Sequence, residues 1–276
     1  MTEVGRPTPL ARWVARRLIW PWVRLLFRPS LRGLENLPKD SAYLLVSNHS
    51  AGLGLAELHS LAAILLGQTE LRLAGFAHPV GFRVWPLSAI HRQLGSIPST
   101  YEAAEHTLAE GVPILVFPGG DHETLRPFWQ AGRVDFGGRK GFLRIAQRAR
   151  IPIVPMGIAG SHWTTPILFR SKLLATILIV PRLLGTKRWA LSLLGLLGAL
   201  AIGLSPLAPV LRGILVWLWL GSPLVFVPIL PATIRMRIGA PIAPQALFGG
   251  ENEAPDFEAA LSRVEAEVQA CMRDPL

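Results

Sequence analysis

The sequence predicts an α/β protein: a mixed sheet flanked by helices, preceded by an N-terminal amphipathic helix and interrupted by a hydrophobic hairpin. Three observations carry this expectation. From about Leu31 to Ile158, apolar runs of strand length alternate with stretches of helix length, the pattern that favours an α/β sheet. The first 32 residues hold seven arginines against the single acid Glu3, interleaved with Trp13, Trp20, Trp22 and Phe27. Between Trp189 and Ile234 the only charged residue is Arg212.

Taken in order, Pro9 to Phe27 reads as an amphipathic helix kinked at Pro21, because proline lacks the N–H that the helix needs there. Its arginines are long enough to reach outward while Leu10, Trp13, Leu18, Trp22 and Leu26 dip into an apolar layer. Tyr43 to Ser47 is a buried strand that leads straight into Asn48-His49. Leu58 to Leu66 is apolar enough to be a helix packed on a sheet. Leu71 to Phe76 and Pro113 to Phe117 are further strands. Thr100 to Glu110 is a helix with Glu102, Glu105 and Glu110 outward, and Arg139 to Arg150 is a helix with a basic exposed face. Pro152 to Met156 returns as a strand.

The uncharged run Trp189 to Leu204 is short for a membrane span of about 20 residues, and Gly213 to Leu230 carries Pro223 and Pro228. A membrane-associated hairpin dipping into one leaflet is therefore expected. Thr233 to Ile238 follows as a returning strand, and Asp256 to Met272 as a closing amphipathic helix. The implied organisation is an interfacial anchor over 1–30, a core over 31–170, a hydrophobic insertion over 171–231, and a segment over 232–276 that completes the core.

Bulk composition agrees. Half of the residues are hydrophobic, yet the formal net charge is +10, and the mean hydropathy is +0.38. An apolar and basic chain suits an anionic lipid surface. Six of the ten net positive charges fall within the first 32 residues among aromatic side chains, which argues for membrane lipids as partners and against nucleic acid. Localisation at the cytoplasmic face of a membrane is the corresponding expectation. Cys271 is the only cysteine, so no intrachain disulfide forms. The N-terminal apolar stretch is broken by Arg16, Arg17 and Arg24 and lacks a small-residue cleavage site, unlike a signal peptide.

Two motifs carry chemistry. Ser47-Asn48-His49-Ser50 ends a strand, where α/β sheets place their sites. A histidine there can take a proton from an attacking hydroxyl, provided a carboxylate holds its tautomer. Val116-Phe117-Pro118-Gly119-Gly120-Asp121-His122-Glu123 follows another strand, and its paired glycines let a substrate approach backbone N–H groups closely.

Together these motifs resemble the glycerolipid acyltransferase superfamily, which includes lysophosphatidic acid acyltransferases, and especially its branch near monoacylglycerol and diacylglycerol acyltransferases. The resemblance spans roughly Leu31 to Ile158 and Pro228 to Pro241. It implies an acyltransferase-like fold and transfer of a fatty acyl group from an acyl thioester, acyl-CoA or acyl carrier protein, to a lipid hydroxyl, with no cofactor and no metal. In the phospholipid branch an Asp stands five residues after the histidine. Here that position is Gly54, and Glu57, the first acid downstream, takes the role. His49 and Glu57 are thus the expected catalytic pair. Asn48, Ser50, Gly119, Gly120 and Glu123 are expected around the oxyanion and substrate. Arg133, Arg139 and Lys140 are candidates for phosphate binding, with a solvated basic helix face as the equal alternative. Gly95-Ser96-Ile97-Pro98 corresponds to the family's second motif, and Ile153-Val154-Pro155, its fourth, would line an acyl tunnel. The form Phe117-Pro118-Gly119-Gly120 looks like the neutral-lipid branch.

Rival chemistries lack their signatures. There is no Gly-x-Ser-x-Gly elbow for a serine hydrolase and no His-Glu-x-x-His pattern among the seven histidines. The missing Asp leaves one alternative open, a lipid-binding or scaffold protein that kept the fold and lost catalysis.

Overall fold

A computed structural model describes residues 3–50, 52–183, 185–250 and 254–273. Nine strands form among them: β1 (Ser30–Arg32), β2 (Leu44–Ser47), β3 (Ala74–Ala77), β4 (Ile97–Pro98), β5 (Ile114–Val116), β6 (Ile153–Ala159), β7 (Ile167–Ser171), β8 (Trp189–Ser192) and β9 (Arg235–Ile238). Seven of them make one sheet in the order β1-β9-β6-β2-β5-β3-β4. The strands from β6 to β4 run parallel, β9 lies antiparallel to β6, and β1 is parallel to β9. The sheet is therefore mixed and mostly parallel, as expected from the sequence.

Alternation along the strands sorts side chains between two layers. From β2, Leu44 and Val46 enter one core cluster, with Phe142, Leu143 and Ile145 of the helix Gly141–Ala149 and Leu261, Val264 and Val268 of the helix Phe257–Arg273. Tyr43 and Leu45 enter the opposite cluster, with Val23 and Phe27 near the N-terminus and Leu61 and Ile64 of the helix Leu55–Gln68. Gly157 is what lets the C-terminal helix lie close on β6, since a Cβ there would sit 2.2 Å from the Met272 nitrogen.

The N-terminal helix runs through Pro9–Val14 and Trp20–Phe27, with a π-helical turn over Ala15–Ile19. That turn falls immediately before Pro21, where the missing N–H interrupts the α-helical ladder. Thr8 caps its start, accepting from the Ala11 N–H at 3.2 Å.

The apolar segment differs from its expected outline. Trp189–Ser192 is a strand paired with β7, and the two helical arms are Leu193–Gly203 and Pro209–Gly221. The second arm starts earlier than Gly213 because Pro209 suits a first helical turn, and it stops at Gly221, before Pro223. The arms pack through Trp219, whose Nε1 donates to the Gly195 carbonyl at 3.0 Å. No described helix is long and apolar enough to cross a membrane; thirteen residues reach only about 20 Å. A third cluster, centred on Trp189, Val225 and Phe226, roots the arms beside the sheet.

Candidate active site

The site forms where three parallel neighbours, β6, β2 and β5, end at the same edge. Ser47 of β2 is level with Met156 of β6, and Val46 with Val116 of β5. The loops that follow therefore bring together Asn48-His49-Ser50, Phe117 to Gly120 and Ser161-His162.

Asn48 is buried and bridges β2 to β6: its amide donates to the Ile158 carbonyl at 2.9 Å, and its Oδ1 accepts from the Ile158 N–H at 2.7 Å. That pairing fixes the direction in which His49 leaves the strand. Asn48 is thus a backbone brace for the histidine, and it also lines the cleft beside His49. The imidazole stacks on Phe117, with ring centroids 4.5 Å apart.

Nδ1 of His49 pairs with Glu57 Oε1. Glu57 sits in the first turn of the helix Leu55–Gln68, where the helix dipole favours an anion, and its side chain is wholly buried. The same carboxylate accepts from the Ser50 N–H at 2.9 Å, the Ser50 hydroxyl at 3.1 Å and the Ser161 hydroxyl at 2.7 Å. A carboxylate on Nδ1 keeps the proton there and leaves Nε2 as the basic nitrogen.

The absent Asp has a structural reason. Gly54 caps the helix at φ +69°, and a Cβ there would lie 2.0 Å from His49 Cε1. The space of that side chain is filled by the imidazole, and the acid arrives one turn later.

Glu123 is also buried, but it faces backbone. It accepts from the His49 N–H at 3.1 Å and the Asp135 N–H at 3.2 Å, with Arg126 3.7 Å away. Burial pushes its carboxyl up to about 8, against the lowering effect of the Asp135 N–H, Arg126 and the His49 N–H. It buttresses the His49 loop and also lines the cleft beside the imidazole. Gly119 packs on it, since a Cβ there would be 2.2 Å from Glu123 Oε2. The Gly120 N–H closes a turn onto the Phe117 carbonyl at 3.2 Å.

The three basic candidates separate. Arg139 donates to the carbonyls of Pro118 and Gly119, at 3.1 and 2.7 Å, and pairs with Asp121. Lys140 pairs with Glu258. Neither lines the cleft beside His49. Arg133 alone lines the narrow cleft that His49, Ser50, Arg126, His162 and Thr165 also line. Arg126, Ser161 and His162 carry no sequence motif that marks them as site residues. Burial lowers the His162 pKa, with the Glu57 charge acting in the opposite direction. The only signal for Ser161 and His162 was their place just past the β6 strand. Ile153 and Val154 are fully buried in the two core layers. No group of three or more potential metal ligands occurs among the described residues.

The Acyltransferase family model matches residues 28–159. An uncharacterized protein of Mycobacterium tuberculosis is 32% identical over 171 residues, 61% of this chain and 47% of that protein. The 1-acyl-sn-glycerol-3-phosphate acyltransferase alpha of Homo sapiens is 28% identical over 152 residues, 51% of this chain and 49% of the human protein. The chain thus spans about half the length of these relatives. Among solved structures, the 1-acyl-sn-glycerophosphate acyltransferase PlsC of Thermotoga maritima superimposes with a TM-score of 0.50 over 95% of this chain and 78% of its own. At 18% identity that likeness is one of fold.

Proposed function

We propose, for a chain that belongs through residues 28–159 to the glycerolipid acyltransferase superfamily, that it transfers a fatty acyl group from an acyl thioester to the hydroxyl of a glycerolipid or other lipid alcohol. The observation that carries this reading is the fully buried Glu57 carboxylate on Nδ1 of a histidine that lines a cleft. His49 Nε2 takes the proton as the acceptor oxygen attacks the thioester carbonyl. The imidazolium, held by Glu57, returns that proton to the departing thiolate, so an ester and a thiol leave without a covalent enzyme intermediate. The Gly119 N–H steadies the developing oxyanion. The donor is acyl-CoA or acyl carrier protein. Detergent-solubilised protein given a labelled acyl thioester and a panel of lipid alcohols should turn over at least one of them. No turnover on any would favour the scaffold reading.

The acceptor is a neutral lipid alcohol. This is supported by Arg139, which is occupied with the Pro118 and Gly119 carbonyls, and by Arg126, which is occupied with the Asp135 carbonyl. Arg133→Ala should then change kcat/KM for a monoacylglycerol by less than about threefold, since a lost charge-assisted hydrogen bond would cost about tenfold or more. A tenfold loss confined to a lysophosphatidate acceptor would reassign the acceptor class.

The acceptor arrives from an anionic lipid surface, and the protein sits on that surface through two elements. Trp22 and Leu25 on the N-terminal helix, and Leu204 and Val210 at the tip of the apolar arms, are each at least 66% exposed. Hydrogen bonds from the Ala232 and Ile234 N–H groups to the Leu26 and Phe27 carbonyls, at 3.0 and 2.9 Å, join the helix to the chain leaving the arms. Arg17, Arg24 and Arg28 are exposed on the same helix, which contains no acid, and this charge selects anionic lipid. In flotation assays the protein should bind phosphatidylcholine vesicles only weakly and bind those containing phosphatidylglycerol well. Trp22→Glu/Leu25→Glu and Leu204→Glu/Val210→Glu should each weaken binding about tenfold. Binding unaffected by either pair would remove this surface from the proposal.

A further inference from the structure

Glu57 does the work of an aspartate from a longer side chain, with one more rotatable bond to restrain. Three of its four donors are local: the His49 ring, the Ser50 N–H and the Ser50 hydroxyl all come from the loop that the carboxylate serves. A carboxylate held only by that loop would move with it. The fourth donor is different. Ser161 lies 104 residues from Glu57 in sequence, is wholly buried, and gives its hydroxyl to Glu57 Oε2 at 2.7 Å while also touching the Ser50 hydroxyl.

Ser161 is itself anchored. It opens a single helical turn, Ser161–Trp163, directly after β6. Its carbonyl accepts from the Thr164 hydroxyl at 2.7 Å and the Thr164 N–H at 3.0 Å. The Thr164 carbonyl in turn accepts from the Ile229 and Leu230 N–H groups at 3.0 and 3.2 Å. Before the turn, Gly160 takes φ +91° against the Thr233 carbonyl, where a Cβ would come within 2.0 Å. The hydroxyl is therefore fixed to the sheet and to the segment re-entering it, independently of the His49 loop.

We propose that Ser161 is a positioning residue of the acyl-transfer centre: it ties the Glu57 carboxylate to β6, so that Oε1 stays on Nδ1 of His49 while the imidazole gains and loses its charge. The inference rests on His49 and Glu57 forming the base pair proposed above. Ser161 touches no reacting atom and acts only through Glu57.

The test is a kinetic double-mutant cycle on the full chain in detergent. Ser161→Ala should lower kcat about tenfold, the size of one hydrogen bond to a charged group, with KM within about twofold. In a Glu57→Gln background the same substitution should have little further effect, because the group it positions is already disabled. Ser161→Cys, which restores a weak donor at similar size, should recover part of the lost rate. An unchanged kcat in Ser161→Ala, or losses that multiply in the double variant, would overturn the proposal. His49→Ala, measured alongside, keeps the two readings apart: wild-type turnover in that variant would bring down the base assignment itself, whereas a dead His49→Ala beside a fully active Ser161→Ala would refute only the positioning role.

Discussion

Replacement of His49 by alanine is expected to lower kcat by about 10³-fold or more, because a positioned general base contributes about 10² to 10⁴ and nothing else in the cleft occupies its place. Ser50 is adjacent, but its hydroxyl already serves Glu57. His162 lines the same cleft, yet no carboxylate hydrogen bond fixes its tautomer among the described residues. Glu57→Gln should fall nearly as far, since an amide can present its NH₂ to Nδ1 and favour the unproductive tautomer. Vesicle binding should persist in both variants, because neither side chain belongs to the exposed apolar surface. Rates come from thioester consumption with a lipid alcohol present, and folding from thermal unfolding. His49→Ala turning over at the wild-type rate would exclude the base.

The parts legible in the sequence were those written locally. Asn48-His49 at the end of a continuous apolar run signalled a loop at a strand's C-terminal edge, and the strand is there, β2, with the histidine two residues beyond it. Glu57 is the first acid downstream, and helix geometry explains why it reaches: one turn after Gly54, its side chain comes back to the ring. What escaped depended on which strands are neighbours. Ser161 and His162 enter the site only because β6 lies beside β2, an adjacency that no spacing within either segment encodes. The partners of Arg139 are hidden for a related reason. Sequence displays a charge but not its partner, and here the partners are the Pro118 and Gly119 carbonyls, which themselves belong to the motif. The apolar segment shows a third limit. In an uncharged run, periodicity cannot separate Trp189–Ser192, a strand, from the helix that follows it.

Gly54→Ala should be the most damaging change that leaves every catalytic group in place. Two penalties coincide there. The backbone stands at φ +69°, where a side chain costs about 1 kcal/mol, and the new Cβ would lie 2.0 Å from His49 Cε1 and 2.7 Å from Nδ1. The obstacle is a ring pinned between Phe117 and Glu57, so relief requires the imidazole to leave its carboxylate. A displacement of about 1 Å at a reacting group costs about 10²-fold in rate, and kcat should drop at least that far, while the unfolding midpoint falls by only several degrees. The same geometry predicts that an aspartate cannot be put back. Gly54→Asp combined with Glu57→Gln, which restores the acid to its position in the phospholipid branch, should remain inactive, because its Cβ meets the ring before its carboxylate can serve it. Recovery of turnover in that double variant would mean that the loop between His49 and the helix adjusts freely, and that Glu57 was one of several equivalent solutions rather than the one this backbone requires.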